Sequence, residues 1–216
     1  MSNTSVSSEV HPLPSVCQQR IAQLLASGER KILGLVAPPG AGKSTLAEAL
    51  MAHYPRHVQG VPMDGFHLAN SELARLGRQQ RKGAPDTFDA AGFVDLLRRI
   101  KRQVASETVY APEFRRDLEE PVAGAIAIAP DTPLVITEGN YLLLDDPHWV
   151  QVRAVVDEIW YLDVPDELRR ARLLARHMRF GRSRAQALDW MESTDEPNAL
   201  RIATTRQHAQ LCVPWL

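Results

Sequence analysis

The feature that most constrains the fold is a short loop between an apolar run and a helical pattern. The loop reads Ala37-Pro-Pro-Gly-Ala-Gly-Lys-Ser44, and the apolar run before it begins at Lys31. The loop matches the phosphate-binding consensus G-x-x-x-x-G-K-[ST], with alanine in place of the first glycine. A phosphate-binding loop of this kind connects a strand to a helix, because the helix N-terminus directs backbone N–H groups at the phosphate. The sequence therefore predicts an α/β domain that binds a nucleoside triphosphate.

The positions of this loop have predicted roles. Gly40 and Gly42 allow the backbone to curl, so that successive N–H groups face phosphate oxygens. Lys43 would reach the β- and γ-phosphates, and the Ser44 hydroxyl would bind Mg²⁺. The predicted nucleotide contacts in this segment are Pro39, Gly40, Ala41, Gly42, Lys43, Ser44 and Thr45.

Strand and helix patterns alternate along most of the chain. This alternation predicts a P-loop NTPase fold, in which helices flank a doubly wound, mostly parallel five-stranded sheet. The segment 107–128 adds a small β-like insertion. A first helix is expected at 15–27, and an amphipathic helix at 89–103 is expected to begin at an Asp89 N-cap. The strand candidates are 31–37, 57–63, 133–139, 158–164 and 211–213.

Length and charge limit the class of protein. A chain of 216 residues favours one domain, which we place at 15–216, after a disordered tail at 1–14. The formal net charge of −1 argues against nucleic acid as a partner. No apolar run reaches the roughly 18 residues of a membrane span. Two cysteines without a metal-binding spacing are typical of a reducing compartment, and a cytoplasmic protein is expected.

Two acidic residues follow apolar strand candidates. Asp64 comes after the second strand, where its carboxylate would face the γ-phosphate and accept the proton of an acceptor hydroxyl. The alternative is an Asp-Gly turn without a catalytic role. Glu138 ends the third strand and resembles the acid that binds Mg²⁺, although a surface acid at a strand end would look the same.

The segment 168–184 contains seven arginines and no acidic residue. Most charge runs are the solvated face of a helix. Arginine is also suited to bidentate binding of phosphate, so that one or two of these side chains would close over the triphosphate as a lid.

Several stretches in order resemble the phosphoribulokinase/uridine kinase family, which includes pantothenate kinases. They are "APPGAGKST", "PMDGFHLAN", "RKGAPDTFD", "YAPEFRRDLEEP" and "ITEGNYLL", followed by the arginine-rich helix that ends in "RFGRS". Within the family, the chain is most similar to small nucleoside-kinase-like proteins, some of them associated with fructose transport. The resemblance implies a kinase that uses ATP and Mg²⁺ and has a mobile lid.

The resemblance also implies roles for individual residues. Asp64 matches the catalytic aspartate, and Lys43 and Arg176 would stabilise the transferred phosphoryl group. Arg179 and Arg182 are further lid candidates, and Asn198 lies in a stretch that passes near the adenine. The acceptor would be held by Asp64, His67, Lys82, Asp86, Tyr110, Arg115, Arg116 and Glu138, and Mg²⁺ by Ser44 and Glu138.

The predicted reaction is transfer of the γ-phosphoryl group to a hydroxyl of a small polyhydroxylated metabolite. The candidate acceptors are a sugar such as fructose, then a nucleoside such as uridine, then pantothenate. Uridine kinases have an aromatic pair where this chain has Gly65-Phe66-His67, and pantothenate kinases are longer. An ATP-binding regulator that acts through a protein partner is the alternative from another class. A GTPase is disfavoured because the Asn-Lys-x-Asp signature is absent. A monomer or a homodimer is expected.

Overall fold

The computed structural model describes residues 12–216, so most of the predicted tail at 1–14 lies outside the described residues. No helix within 12–216 is long and apolar enough to cross a bilayer. The helices are α1 Ser15–Ala26, α2 Lys43–His53, α3 Asn70–Arg75, α4 Ala90–Lys101, α5 Asp166–Arg179, α6 Arg184–Trp190 and α7 Glu196–Ala203. The strands are β1 Lys31–Val36, β2 Val58–Gly60, β3 Val109–Arg115, β4 Glu120–Ile128, β5 Leu134–Glu138, β6 Glu158–Asp163 and β7 Leu211–Pro214.

Five parallel strands form the central sheet in the order β2-β5-β1-β6-β7. Gly34 of β1 pairs with Thr137 on one side and with Ile159 on the other. The chain first builds the β2–β5 side and then crosses to the β6–β7 side. The carboxyl end of β1 is therefore the point at which the strand order reverses, and ligands bind at such points in open α/β sheets. The predicted fold class is confirmed.

Both faces of the sheet are covered by helices. On one face α4 buries Phe93, Val94 and Leu97, and on the other Ile21 of α1 and Leu46 of α2 are fully buried. Burial on both faces explains why the inner strands read as continuous apolar runs.

The helix predicted at 89–103 is confirmed as α4. The Asp89 side chain accepts a hydrogen bond of 2.8 Å from the Gly92 N–H and thereby caps the helix.

The predicted β-like insertion is an antiparallel hairpin of β3 and β4, with a register shift between Ala111 and Glu113. The hairpin packs on a 3₁₀ turn at Met63–Phe66. A Cβ atom on Gly65 would lie 2.3 Å from the Pro112 carbonyl oxygen. Only glycine permits this close approach of the turn and the hairpin.

The second strand is shorter than the predicted 57–63. β2 ends at Gly60, and the Val61 N–H makes one more hydrogen bond of 2.8 Å to the Ile136 carbonyl oxygen. Pro62 has no N–H to extend the pairing, and the chain turns there. Asp64 consequently lies on the 3₁₀ turn and not at the end of a strand.

Replacing Phe93 tests the core beneath this turn. Phe93 is fully buried, and its ring lies 5.2 Å from Phe66 and 6.1 Å from Trp149 between centroids. Phe93→Ala should lower the free energy of unfolding by about 3–5 kcal/mol, measured by urea denaturation. The exposed control Asp95→Ala, on the same helix, should change it by less than about 0.5 kcal/mol. Equal effects of the two substitutions would contradict the assignment of this layer as the core.

Candidate active site

A cavity of about 600 Å³ opens at the carboxyl ends of β1 and β5. Its walls come from the phosphate-binding loop, the 3₁₀ turn, the hairpin, α5 and the helical segment 184–203. Its lining includes Pro39, Lys43, Ser44, Asp64, His67, Lys82, Phe88, Phe114, Arg116, Glu119, Glu138, Asn140, Arg176, His177, Phe180, Arg182, Trp190, Asp195 and Asn198.

Two glycines give the loop its curl. Gly40 has φ 84° and Gly42 has φ 85°, in the left-handed region that disfavours other residues. A Cβ atom on Gly40 would lie 2.6 Å from the Arg169 carbonyl oxygen, so the loop also packs directly under α5. Ala37, which replaces the first consensus glycine, has no positive φ, and alanine therefore fits this position without strain.

Lys43 is buried at the start of α2, and its ammonium group is held by oxygen atoms. Nζ donates hydrogen bonds to the Ala37 carbonyl oxygen at 2.9 Å and to Asn140 Oδ1 at 2.6 Å. Burial lowers the pKa of Lys43 to about 8. The negative charges of Glu138 and Asp64 act in the opposite direction and raise it. The ammonium group is thus poised to bind an anion, which would compensate its lost hydration.

The Ser44 hydroxyl donates a hydrogen bond of 2.8 Å to Glu138 Oε1. Burial raises the pKa of Glu138, and the charge of Asp64 raises it further, whereas Lys43 lowers it. A hydroxyl and a carboxylate are oxygen ligands of the type that Mg²⁺ prefers. Nowhere in residues 12–216 do three His, Cys, Asp or Glu side chains form a metal cluster. The Ser44 hydroxyl and the Glu138 carboxylate therefore fit a metal ion that keeps water and phosphate oxygens as its other ligands.

Asp64 lines the cavity, and its charge acts on groups on both sides of it in the sequence. It raises the pKa values of Lys43, Glu138 and Arg176, and also that of its neighbour His67. A carboxylate in this position can receive a proton from a group bound beside the loop.

His67 lies next to Asp64 and has a fixed orientation. Its Nδ1 donates a hydrogen bond of 2.8 Å to the Asp64 carbonyl oxygen. The imidazole ring packs between Phe88 and Phe114, with centroid distances of 4.0 Å and 4.7 Å. Burial lowers the pKa of His67, which favours the neutral ring. Because Nδ1 carries the proton, Nε2 is a hydrogen-bond acceptor.

Helix α5 supplies arginines from above the loop. Arg176 is half-buried, and its pKa is lowered by burial and by the charge of Arg116. Arg182, just beyond the helix, stacks on Trp190 with its Cζ 4.0 Å from the ring centroid. Both line the cavity, whereas Arg179 is exposed and lies outside the lining.

Several lining residues were missed by the sequence reasoning. Asn140, which holds Lys43, directly follows the predicted Glu138-Gly139 and was within reach of a motif argument. His177 Nε2 donates a hydrogen bond of 2.7 Å to Asp195 Oδ2, and Asp195 ends a π-helical turn at Met191–Asp195. A π-helical turn has no short sequence signature, although such turns are frequent at functional sites. Trp190, on which Arg182 stacks, was not among the predicted site residues.

The structure brings most of the predicted site residues together. Those that line the cavity are Pro39, Lys43, Ser44, Asp64, His67, Lys82, Arg116, Glu138, Arg176, Arg182 and Asn198. Gly40, Ala41, Gly42 and Thr45 form the loop and the first turn of α2 beside it.

Four predicted residues lie outside the cavity lining. Asp86 pairs with Arg81 at 2.5 Å, and Arg115 pairs with Asp117 at 3.1 Å. The Tyr110 side chain is exposed on the hairpin, and Arg179 is exposed at the end of α5. Their predicted roles would require a movement of these elements.

Comparison with known proteins gives matches over nearly the whole described chain. Residues 32–216 match the phosphoribulokinase/uridine kinase family. The Escherichia coli (strain K12) protein named "Uncharacterized protein YggC" is 38% identical over 85% of this chain and 77% of its own length. The Schizosaccharomyces pombe protein named "Putative uridine kinase C227.14" is 34% identical over 85% of this chain and 81% of its own length.

Among solved structures, similarity extends to a kinase-named protein from Silicibacter sp. TM1040. Its crystal structure is described as that of a "putative fructose transport system kinase". It superimposes with a TM-score of 0.81 at 36% identity, over 90% of this chain and 98% of its own.

The lowered pKa of Lys43 predicts a pH dependence of nucleotide binding. Phosphates bind the charged ammonium group. In the free protein, this group loses its proton and its charge above about pH 8. The Kd for ATP should therefore rise with pH above about 8, by up to about tenfold per pH unit. Titration of a fluorescent ATP analogue at several pH values measures this. Lys43→Met should bind weakly with a flat profile, and a flat wild-type profile would contradict the assignment.

Arg176 and Arg179 form a matched pair on one helix. Arg176→Ala should lower kcat/KM for ATP by about 10- to 1000-fold, because a charge-assisted hydrogen bond to phosphate is lost. Arg179→Ala should change it by less than about threefold, since an exposed arginine outside the cavity has no phosphate to bind. Steady-state kinetics of both variants measure these changes in kcat/KM. A larger loss for Arg179→Ala than for Arg176→Ala would show that another face of α5 binds the phosphates.

Proposed function

The chain belongs to the phosphoribulokinase/uridine kinase family of P-loop kinases, and from this premise we propose that it transfers the γ-phosphoryl group of ATP to a hydroxyl group of a small polyhydroxylated metabolite. The family makes the chain a phosphotransferase with an alcohol group as acceptor. We propose three things beyond this: the identity of the phosphate donor, the identity of the acceptor, and the role of each residue.

One observation carries the proposal. The same cavity of about 600 Å³ is lined by the buried lysine of the phosphate-binding loop and also by His67, Lys82 and Phe114, which lie outside that loop. A nucleotide-hydrolysing switch needs room only for a water molecule beside the γ-phosphate. A kinase needs a second compartment, which orients an acceptor for in-line attack.

In the proposed reaction an acceptor hydroxyl oxygen attacks the γ-phosphorus. The new oxygen–phosphorus bond forms as the bond to the oxygen between the β- and γ-phosphorus atoms breaks, and ADP leaves. Asp64 accepts the hydroxyl proton, and Lys43 and Arg176 stabilise the negative charge on the transferred group. Burial of the Lys43 ammonium group strengthens this interaction, because little water screens it.

Ser44 and Glu138 are the residues that would hold Mg²⁺ in this scheme. The ion, when bound with ATP, neutralises part of the phosphate charge. Before binding, the Ser44 hydroxyl and the Glu138 carboxylate hold each other in place. Asn198, which donates to the Thr194 carbonyl oxygen at 3.0 Å, remains a candidate for the adenine end.

A sugar such as fructose is the first acceptor class that we propose. The 36% identity to the Silicibacter protein with a fructose-transport name supports it. Uridine or another nucleoside is the alternative, supported by the name of the yeast relative, and pantothenate is the third candidate. A net charge of −1 supports a small-molecule partner over nucleic acid. We further propose that the protein acts in the cytoplasm as a monomer or homodimer.

Replacing Asp64 tests the catalytic assignment. Asp64→Asn should lower kcat by about 10²- to 10⁴-fold, because the amide cannot accept the hydroxyl proton. The control Asp86→Asn, at an exposed ion pair outside the cavity, should stay within about threefold of the wild type. Both are measured as ADP production with Mg-ATP and an acceptor panel of sugars, nucleosides and pantothenate.

The same panel separates the kinase from its rivals. ADP production that depends on one acceptor, together with its phosphorylated product, supports the proposal. ADP production that no acceptor stimulates would favour an ATP-dependent regulator, and an Asp64→Asn variant as active as the wild type would exclude Asp64 as the base.

A further inference from the structure

The part of the cavity lined by His67, Lys82 and Phe114, called the acceptor end here, contains a lysine that has no ion pair among the described residues. Lys82 Nζ donates hydrogen bonds to Asn70 Oδ1 at 2.7 Å and to the Glu119 carbonyl oxygen at 2.6 Å, both uncharged groups. Within residues 12–216, no carboxylate oxygen lies within 4.0 Å of this nitrogen. An ammonium group has three N–H donors. One donor of Lys82 and its full charge are therefore available to a ligand.

The surroundings of Lys82 hold it in a fixed position. Glu119 has φ 52°, the one non-glycine residue with positive φ among those described, and its carbonyl oxygen also accepts from Asn70 Nδ2 at 3.1 Å. The Asn70 N–H donates to Glu120 Oε1 at 2.9 Å, which ties the hairpin turn to the start of α3. Local strain of this kind persists where the surrounding contacts determine it, and it is concentrated at binding sites.

A second cation reaches the cavity from the hairpin tip. Arg116 stacks near Phe180 of the lid, with its Cζ 5.6 Å from the ring centroid. In the described part of the chain it has no carboxylate within salt-bridge distance. It is close enough to Arg176 for its charge to lower the pKa of that arginine. Two guanidinium groups that face one cavity repel each other until an anion binds there.

Among the described residues, no carboxylate of the cavity forms an ion pair with either of these two cations. Asp64 and Glu138 act on Lys43, and the charge of Arg116 also acts on Glu138. Asp195 accepts the hydrogen bond from His177. Glu119 lines the acceptor end with an exposed side chain. The lining as a whole has five cationic side chains and four carboxylates, so one positive charge remains in excess, and Lys82 and Arg116 are both without an ion pair among the described residues. The cations are Lys43, Lys82, Arg116, Arg176 and Arg182, and the carboxylates are Asp64, Glu119, Glu138 and Asp195.

A hydrogen-bond acceptor lies beside these cations. Since the Nδ1–H of His67 is used by the Asp64 carbonyl oxygen, the free Nε2 of the neutral ring can accept a hydrogen bond from a ligand hydroxyl. The flanking Phe88 and Phe114 rings hold the imidazole in place, and Lys82 Nζ lies 5.2 Å from the Phe114 centroid. The acceptor end thus combines cations with a site for a hydroxyl.

We propose that the phosphate acceptor is itself an anion: a small polyhydroxylated compound whose carboxylate or phosphate group binds Lys82 and Arg116 and whose second hydroxyl donates to His67. This inference rests on the proposed kinase function, and within it favours an anionic acceptor over the neutral sugar placed first above. A hydroxy acid or a phosphorylated sugar fits the site, and the corresponding neutral polyol leaves both cations without a partner.

Matched pairs of acceptors test the charge requirement. The carboxylate arm compares glycerate with glycerol, and gluconate with sorbitol. The phosphate arm compares fructose 6-phosphate with fructose. Pantothenate, itself a hydroxy acid, belongs to the carboxylate arm, and uridine is included as a neutral acceptor. Phosphorylated product is detected by mass spectrometry, and kcat and KM are measured for every acceptor that is used. The charged member of a pair should have a kcat/KM at least about tenfold higher, because a charge-assisted hydrogen bond is gained.

Variants of the two cations locate the effect. Lys82→Met and Arg116→Gln should each raise KM for the charged acceptor by about 10- to 100-fold, with a smaller effect on kcat. The neighbouring Arg115→Gln, at an exposed ion pair, is the control and should change KM by less than about threefold. Lys82→Arg keeps the charge and should retain the preference for the anion, which separates a binding role from a structural one.

The outcomes distinguish this inference from the proposed function. Preference for the charged member that is lost in Lys82→Met or in Arg116→Gln supports both, and the two arms show which anionic group is recognised. A neutral acceptor or uridine used as well as any anion would overturn the inference and leave the kinase intact. No phosphorylated product from any acceptor would overturn the proposed function and the inference with it.

Discussion

The site depends on one buried charge, the ammonium group of Lys43. A buried cation is costly unless oxygen atoms surround it, and here they come from two chain segments. The Ala37 carbonyl oxygen reaches it because the loop curls at Gly40 and Gly42, and Asn140 reaches it from the end of β5. β5 is the immediate neighbour of β1 in the sheet. The requirement to solvate one lysine therefore ties the phosphate-binding loop to the strand that carries Glu138.

The elements above the loop are positioned by backbone contact as well as by charge. α5 lies so close to the loop that its Arg169 carbonyl oxygen excludes any side chain at position 40. Arg169 itself is buried and paired with Glu196 of α7 at 2.9 Å, so its charge is used within the protein. Arg176, two turns later on the same helix, has no such partner among the described residues and faces the cavity. One arginine-rich helix thus contains a structural cation and a candidate phosphate ligand.

The loop, the strand segments and the α4 face were predictable because each has a local period or motif that packing then obeys. Which of two neighbouring charged residues faces the cavity was not predictable. Arg115 and Arg116 follow each other at the end of β3, yet one pairs with Asp117 and the other lines the cavity. The register shift between Ala111 and Glu113 changes which side chains face inward, and a bulge of this kind cannot be read from alternation alone. Asp195 was missed for a similar reason, since its position follows from a π-helical turn.

The sequence by itself determined that a strand, a glycine loop and a helix would build a triphosphate site, because that chemistry is local and needs consecutive backbone N–H groups. It also determined the α/β class, through the alternation of apolar strands with amphipathic helices. Only the tertiary structure decided which distant groups meet there. Lys82 and Glu119 lie 37 positions apart in sequence, and Lys43 and Asn140 lie 97 apart. Such contacts depend on strand order, hairpin register and close backbone approach, which act between segments and leave no pattern within any one of them.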